Sequence, residues 1–144
     1  MLKRITVFFI AAILAMMPIT NAFAAYDGYA DVYLDGVKQN YTVYYERIDG
    51  TVMVPIRPIF EAFHFKLDWD AGRQRINVTT AIGKLIIQIG SHVVSQNGYN
   101  AYQMSTYARI ENGQTLIPIE FAAACTGASV QYVESNNSVV ITSN

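Results

Sequence analysis

Gly50-Thr-Val-Met-Val-Pro55-Ile56 and Gly113-Gln-Thr-Leu-Ile-Pro118-Ile119 are two versions of one pattern, 63 residues apart. Each sets a turn-forming glycine before a short apolar run, and a proline where a helix can begin. The register holds without a gap from Gly50 over Gly113 to Thr79 over Thr142, the mark of a duplicated unit. Upstream, Tyr45-Glu-Arg47-Ile48 returns as Tyr107-Ala-Arg109-Ile110 at an offset of 62, so one inserted residue is expected in the turn before Gly113. The two copies are expected to cover about residues 29–80 and 84–143.

Within each copy the periodicities agree. Ile56, Ile59, Phe60 and Phe63 fall at helical spacing behind Pro55, and Pro58 is tolerated only in a first turn, which predicts a helix of about two turns. Ile119, Ala122 and Ala123 hold the same face in the second copy, and Gly127 stands where a left-handed C-terminal cap belongs. After the first helix Phe65, Leu67 and Trp69 alternate with Lys66, Asp68 and Asp70, then Ala71-Gly72-Arg73 turns the chain into Ile76 and Val78. Val130 and Tyr132, a turn at Ser135-Asn136-Asn137, then Val139 and Ile141 repeat this hairpin with one wet face. Ahead of the helices, Tyr29 to Leu34 turns at Asp35-Gly36, and Lys84 to Ile89 leads through Gly90 to a second turn at Asn97-Gly98. The predicted fold class is α+β: twisted antiparallel β-sheets wrapped around two short helices, built from an internal duplication.

The N-terminus points to export. Lys3 and Arg4 precede an apolar run from Ile5 to Met17, then Pro18 and the small-x-small end Ala22-Phe23-Ala24, so residues 1–24 read as a signal peptide cut after Ala24. The run is 17 − 5 + 1 = 13 residues, short of the roughly 20 that a spanning helix needs. An uncleaved anchor is the other reading; with cleavage, no membrane span is expected. Residues 25–144 form the mature domain, of 144 − 24 = 120 residues, enough for one domain with a real core. Its charge is 8 − 11 = −3 without a basic block, so no nucleic-acid partner is expected. The lone Cys125 permits no internal disulfide, and its Ala-rich apolar surroundings predict a small buried hydrophobe.

Leu34-Asp35-Gly36, then Asp49-Gly50-Thr-Val-Met-Val-Pro55-Ile56-Arg57-Pro-Ile-Phe60-Glu61-Ala62, then Leu67-Asp-Trp69-Asp70 together resemble the copper amine oxidase N-terminal-like domain, or stalk domain, of secreted Gram-positive bacterial proteins. Ile89-Gly90-Ser91, Asn97-Gly98 and Asn112-Gly113-Gln-Thr-Leu-Ile-Pro118-Ile119 carry the resemblance into the second half, so that it spans about Val32 to Thr142. It implies a strongly twisted antiparallel sheet curled around a helix, acting as a non-catalytic accessory or stalk module in extracytoplasmic and envelope-associated proteins. Two departures stand out: the family usually has Gly where this chain has His64, and Arg where it has Glu120.

Few residues invite chemistry. A copper-quinone oxidase needs three imidazoles on copper, and this chain has only His64 and His92; Asn40-Tyr41 is followed by Thr42 rather than an acid. Ser91 and His92 are neighbours on a strand and point apart, and no nucleophile elbow accompanies them. Asp68-Trp-Asp70-Ala-Gly72 opens like a calcium loop but lacks the acidic closure. No catalytic residue, cofactor or metal site is therefore expected. Ten tyrosines against one tryptophan are the suggestive feature. Tyr29 and Tyr33 on one strand face, with Tyr99 and Tyr102 in the second hairpin, are the candidate interaction face. The expected function is a secreted, non-enzymatic interaction or stalk module, free or held at the cell wall, with a cell-wall polysaccharide or an extracellular protein as partner. The alternative is a small secreted enzyme or enzyme inhibitor acting on polysaccharide or peptide.

Overall fold

A computed structural model describes residues 28–48 and 50–144; the signal expected over residues 1–24, and Asp49 of the first Asp-Gly turn ahead of a helix, lie outside them. The N-terminal half runs β1 (Gly28–Leu34), β2 (Val37–Ile48), β3 (Thr51–Pro55), α1 (Ile56–Ala62), β4 (Lys66–Asp70) and β5 (Arg75–Thr80). The C-terminal half runs β6 (Gly83–Gln88), β7 (Val93–Gln96), β8 (Tyr99–Gln103), β9 (Arg109–Glu111), β10 (Gln114–Pro118), α2 (Ile119–Thr126), β11 (Ser129–Val133) and β12 (Ser138–Thr142). A seven-stranded sheet has the order β11-β12-β1-β2-β3-β10-β9, and β4 to β8 form a five-stranded meander. The α+β class agrees with the sequence. The sheets are antiparallel except that β1 pairs with β12 in parallel, Val32 opposite Val139, which ties the end of the chain to its start.

Local chemistry sets these elements. Asp35-Gly36 and Asn97-Gly98 take positive φ at both positions, +48° and +80°, +51° and +89°, the twist that two-residue hairpins require. Pro55 caps α1 from an extended conformation, and Pro58 sits in its first turn, where no intrahelical donor is lost. Ile56, Ile59 and Phe60 are buried. They join inward residues of both sheets and of α2, among them Val32, Val43, Val78, Ile87, Phe121 and Ile141, in one core. Phe60 packs edge-on to Phe65 and lies 6.4 Å from Phe121. The helix ends match the sequence at Gly127, whose φ is +72°. His64 occupies the equivalent left-handed place after α1, at φ +61°. There the His64 and Phe65 N–H groups donate to the carbonyls of Glu61 and Phe60, at 2.9 and 3.0 Å, the double bond that closes a helix with a glycine-like residue.

The halves meet at β3 and β10, where Val54 pairs with Ile117, Met53 with Pro118 and Pro55 with Leu116. Val54 and Ile117, 63 residues apart, thus face each other at a local two-fold axis, and Met53 and Pro55 each pair with the other's counterpart. One sequence expectation fails here. Ile48 pairs with Thr51 across a two-residue turn, and Glu111 pairs with Gln114 across another. The turns have equal length and no residue is inserted. The geometric offset stays at 63, so Arg47, opposite Val52, corresponds to Ile110, opposite Thr115. Likewise Glu46 corresponds to Arg109, and these two form an ion pair at 2.9 Å across the axis. The likeness of the Tyr-x-Arg-Ile tetrads is one residue out of step with the backbone hydrogen bonding.

Candidate functional site: an aromatic cleft beside the first helix

Beside α1, residues of both sheets line an open cleft of about 690 Å³. Trp69 and Ile76, a cross-strand pair of β4 and β5, form one wall. Ile110 and Thr115, a cross-strand pair of β9 and β10, form the other. Pro55, Ile56 and Pro58 floor it, Tyr41 of β2 lines it, and Arg57 and Glu61 stand on the helix face. Tyr41, Trp69 and Ile110 are 39, 37 and 44 % exposed, a concentration of large apolar side chains in a concave place. Burial raises the Tyr41 phenol above its ordinary pKa. Among the described residues lining the cleft Glu61 is the one carboxylate, and Arg57 donates to it at 2.9 Å. Trp69 is held by its neighbour: Asp70 accepts from the Arg73 backbone and guanidinium at 3.1 Å and pairs with Arg75 at 3.4 Å. The hydrogen bonds from Arg73 keep the Asp70 carboxyl below the usual range, and they use the acid that a calcium loop would need.

The alternation that set Trp69 with Phe65 and Leu67 is correct in facing but not in burial. Phe65 and Leu67 pack against the core, whereas Trp69, near the far end of β4, lines the cleft and stays exposed. The corresponding place in the other half is filled. Tyr132, on the rung of β11 and β12 that matches Trp69, stacks on the buried Tyr45 at 4.6 Å. The Arg47 guanidinium lies 5.5 Å from its ring centre and is bound by Glu134. The Tyr132 hydroxyl is 2.8 Å from the Tyr45 hydroxyl and 2.8 Å from Asn137 Oδ1. At offset 63, Tyr45, Arg47 and Glu134 correspond to Ala108, Ile110 and Ala71. Three large side chains of the filled half are thus matched by three smaller ones, of which Ile110 lines the cleft. That signal was in the sequence, hidden by the tetrad match at offset 62.

The four tyrosines named from the sequence do not converge. Tyr29 is 58 % exposed on β1, edge-on to Tyr44, and its hydroxyl accepts from Asn112 Nδ2 at 2.8 Å. Tyr33, on the same strand, is half-buried. Tyr99 is 79 % exposed at the start of β8, in the other sheet. Tyr102 turns inward instead, its ring 5.0 Å from Phe121, because it shares a rung with the buried Val94. It lines a second, smaller cleft of about 320 Å³ together with Phe65, Ile82 and Cys125. Burial pushes the Cys125 thiol up to about 12, which keeps it protonated at neutral pH.

A family model for the copper amine oxidase N-terminal domain matches residues 33–141. The chain belongs to this family. The domain is the non-catalytic N-terminal part of those oxidases. A search of curated proteins and a search of solved structures each gave no match. Despite the copper in the family's name, the donors here do not fit a metal: among the described residues no three His, Cys, Asp or Glu side chains gather. His64 ends α1, and His92 stands edge-on to Tyr107 at 5.9 Å. The half-empty mouth of this domain is therefore its most site-like feature.

Proposed function

We propose that this domain is a secreted, non-catalytic binding module of the cell envelope or extracellular matrix, and that it recognises its partner through the Trp69 cleft. The observation that carries the reading is the concave wall of Trp69, Tyr41 and Ile110, exposed and held on rigid strands. Rings fixed in this way lose little conformational entropy on contact, so each adds to affinity efficiently. Hydrolysis of a glycoside calls for two carboxylates facing one cleft, and the single Glu61, salt-bridged to Arg57, favours binding over turnover. The exposed Tyr29 and Tyr99 sit on separate sheets and offer single contacts rather than a surface.

Retention of the purified protein on the producing cell's own wall and secreted-protein fractions tests this. Trp69→Ala should lower retention by about tenfold, the loss of one well-placed ring. Tyr29→Ala and Tyr99→Ala should change it less than about twofold. Equal retention of Trp69→Ala with loss in the tyrosine variants would return recognition to the strand faces.

A further inference from the structure

The filled half of the molecule displays what the open half lacks. Arg47 and Ile110 stand on matching rungs of β2–β3 and β9–β10, and Tyr132 and Trp69 on matching rungs of the hairpins opposite them. Over Tyr132 lies a guanidinium, and Glu134 binds it. Over Trp69 the corresponding residues, Ile110 and Ala71, supply neither the cation nor the acid. Indole is the strongest of the aromatic faces for a cation. The acid is available from another direction, since Glu61 lines the cleft. Its partner Arg57 is an exposed neighbour one helical turn away, and such pairs are weak enough to exchange for a better-placed guanidinium. A cleft of about 690 Å³ is larger than one side chain, and Pro55, Pro58 and Ile76 give the remainder an apolar lining.

We propose that the cleft receives an arginine of a partner protein, its guanidinium stacked on Trp69 and paired with Glu61, with apolar neighbours of that arginine lying on Pro55, Pro58 and Ile76. The proposal rests on reading the cleft as the recognition site and names what it recognises. A guanidinium suits the place better than a compact ammonium, because it is planar, weakly hydrated and able to stack and pair at once.

Trp69 is the chain's one tryptophan, so its emission reports on this cleft alone. The purified protein is titrated with acetyl-Leu-Arg-Leu-amide, with the same peptide carrying citrulline, which keeps the shape of arginine without its charge, and with a neutral chitotetraose. The arginine peptide should shift the emission saturably, and the citrulline peptide should bind about tenfold more weakly. Glu61→Gln, an exposed and nearly isosteric change, should weaken the arginine peptide severalfold and leave the citrulline peptide unaffected. Equal binding of the two peptides overturns the proposal, as does saturable binding of chitotetraose without binding of the arginine peptide. So does silence from all three probes while wall or secreted fractions still retain the protein through Trp69; that outcome spares the recognition role and rejects arginine. Loss of the Trp69 dependence on those fractions rejects the recognition role itself.

Discussion

The hairpin after α2 and the hairpin after α1 carry an aromatic ring on the same rung, and the two rings meet different fates. Tyr132 is clamped between Tyr45 and the Arg47–Glu134 pair, while Trp69 looks across an open cleft at Ile110. The backbone frames agree in turn length and register, including left-handed residues at Gln74 and Asn137 that close the two four-residue turns. What differs is side-chain volume at three positions, and sheet membership: β11 and β12 share a sheet with Arg47, whereas β4 and β5 belong to a different sheet from Ile110. One such place can be left unfilled while the single shared core holds the fold. A protein that must stay folded and also bind can divide the two tasks between such places.

The largest effect is expected from Tyr45→Ala, which places in the filled half the alanine that the open half already carries as Ala108. Tyr45 is fully buried, so a loss of about 3–5 kcal/mol is expected in urea unfolding. Trp69→Ala should cost only about 1–2 kcal/mol, since Trp69 is already 37 % exposed. Similar losses for the two variants would mean that the cleft side chains are core after all.

The helix ends give the next effect. Gly127→Ala should cost about 1 kcal/mol through its left-handed backbone. No atom lies within 4 Å of the added carbon, so the cost is conformational rather than steric. His64→Gly, at the matching place, should be neutral or stabilise by up to about 1 kcal/mol. Urea midpoints that move the same way for both variants would show that the two ends are not built alike.

Rebuilding the missing plug sharpens the comparison from the other side. Ile110→Arg combined with Ala71→Glu should cover the Trp69 ring as Arg47 covers Tyr132. A gain of about 0.5–1 kcal/mol is expected, the worth of an exposed cation–π contact with its ion pair. The better readout is acrylamide quenching of Trp69, which should fall markedly. Unchanged quenching would mean that the wall strands are too far apart to be bridged by the side chains that serve in the other half.

The smallest effect is electrostatic and belongs to the open half alone, because Val133 stands where Asp70 does. The Arg73 hydrogen bonds lower the Asp70 pKa below its ordinary 3.8. The unfolded chain therefore takes up this proton first as pH falls. The stabilisation is complete above about pH 3.8 and is lost as pH drops through the lowered folded value. Asp70→Asn should flatten the fall of the urea midpoint between about pH 5 and pH 3. An unaltered slope would place the acid sensitivity elsewhere, for instance at Asp35, whose carboxyl is also lowered, by hydrogen bonds from Ser143.

The local elements were legible in the sequence because their causes are local. Asp-Gly and Asn-Gly pairs fix the hairpins, prolines open the helices, period-two alternation faces Leu67 and Val78 inward, and Gly127 announces its cap. The exposed state of Tyr29 and the half-buried state of Tyr102 were not legible, since alternation tells which side a residue faces but not what covers that side. The cleft was hidden for a related reason. Matching Tyr45-Glu-Arg47-Ile48 to Tyr107-Ala-Arg109-Ile110 by identity paired Arg47 with Arg109, whereas the hydrogen-bond register pairs it with Ile110.

The family, the α+β class, the two short helices and the hairpins at Asp35-Gly36 and Asn97-Gly98 could be read from the sequence, because propensity, capping and turn chemistry act over a few residues. The parallel pairing of β12 with β1, the meeting of Glu46 and Arg109, and the cleft beside Trp69, where its counterpart Tyr132 is covered by Arg47, came from the three-dimensional packing. Those outcomes depend on which residues distant in the chain share a rung.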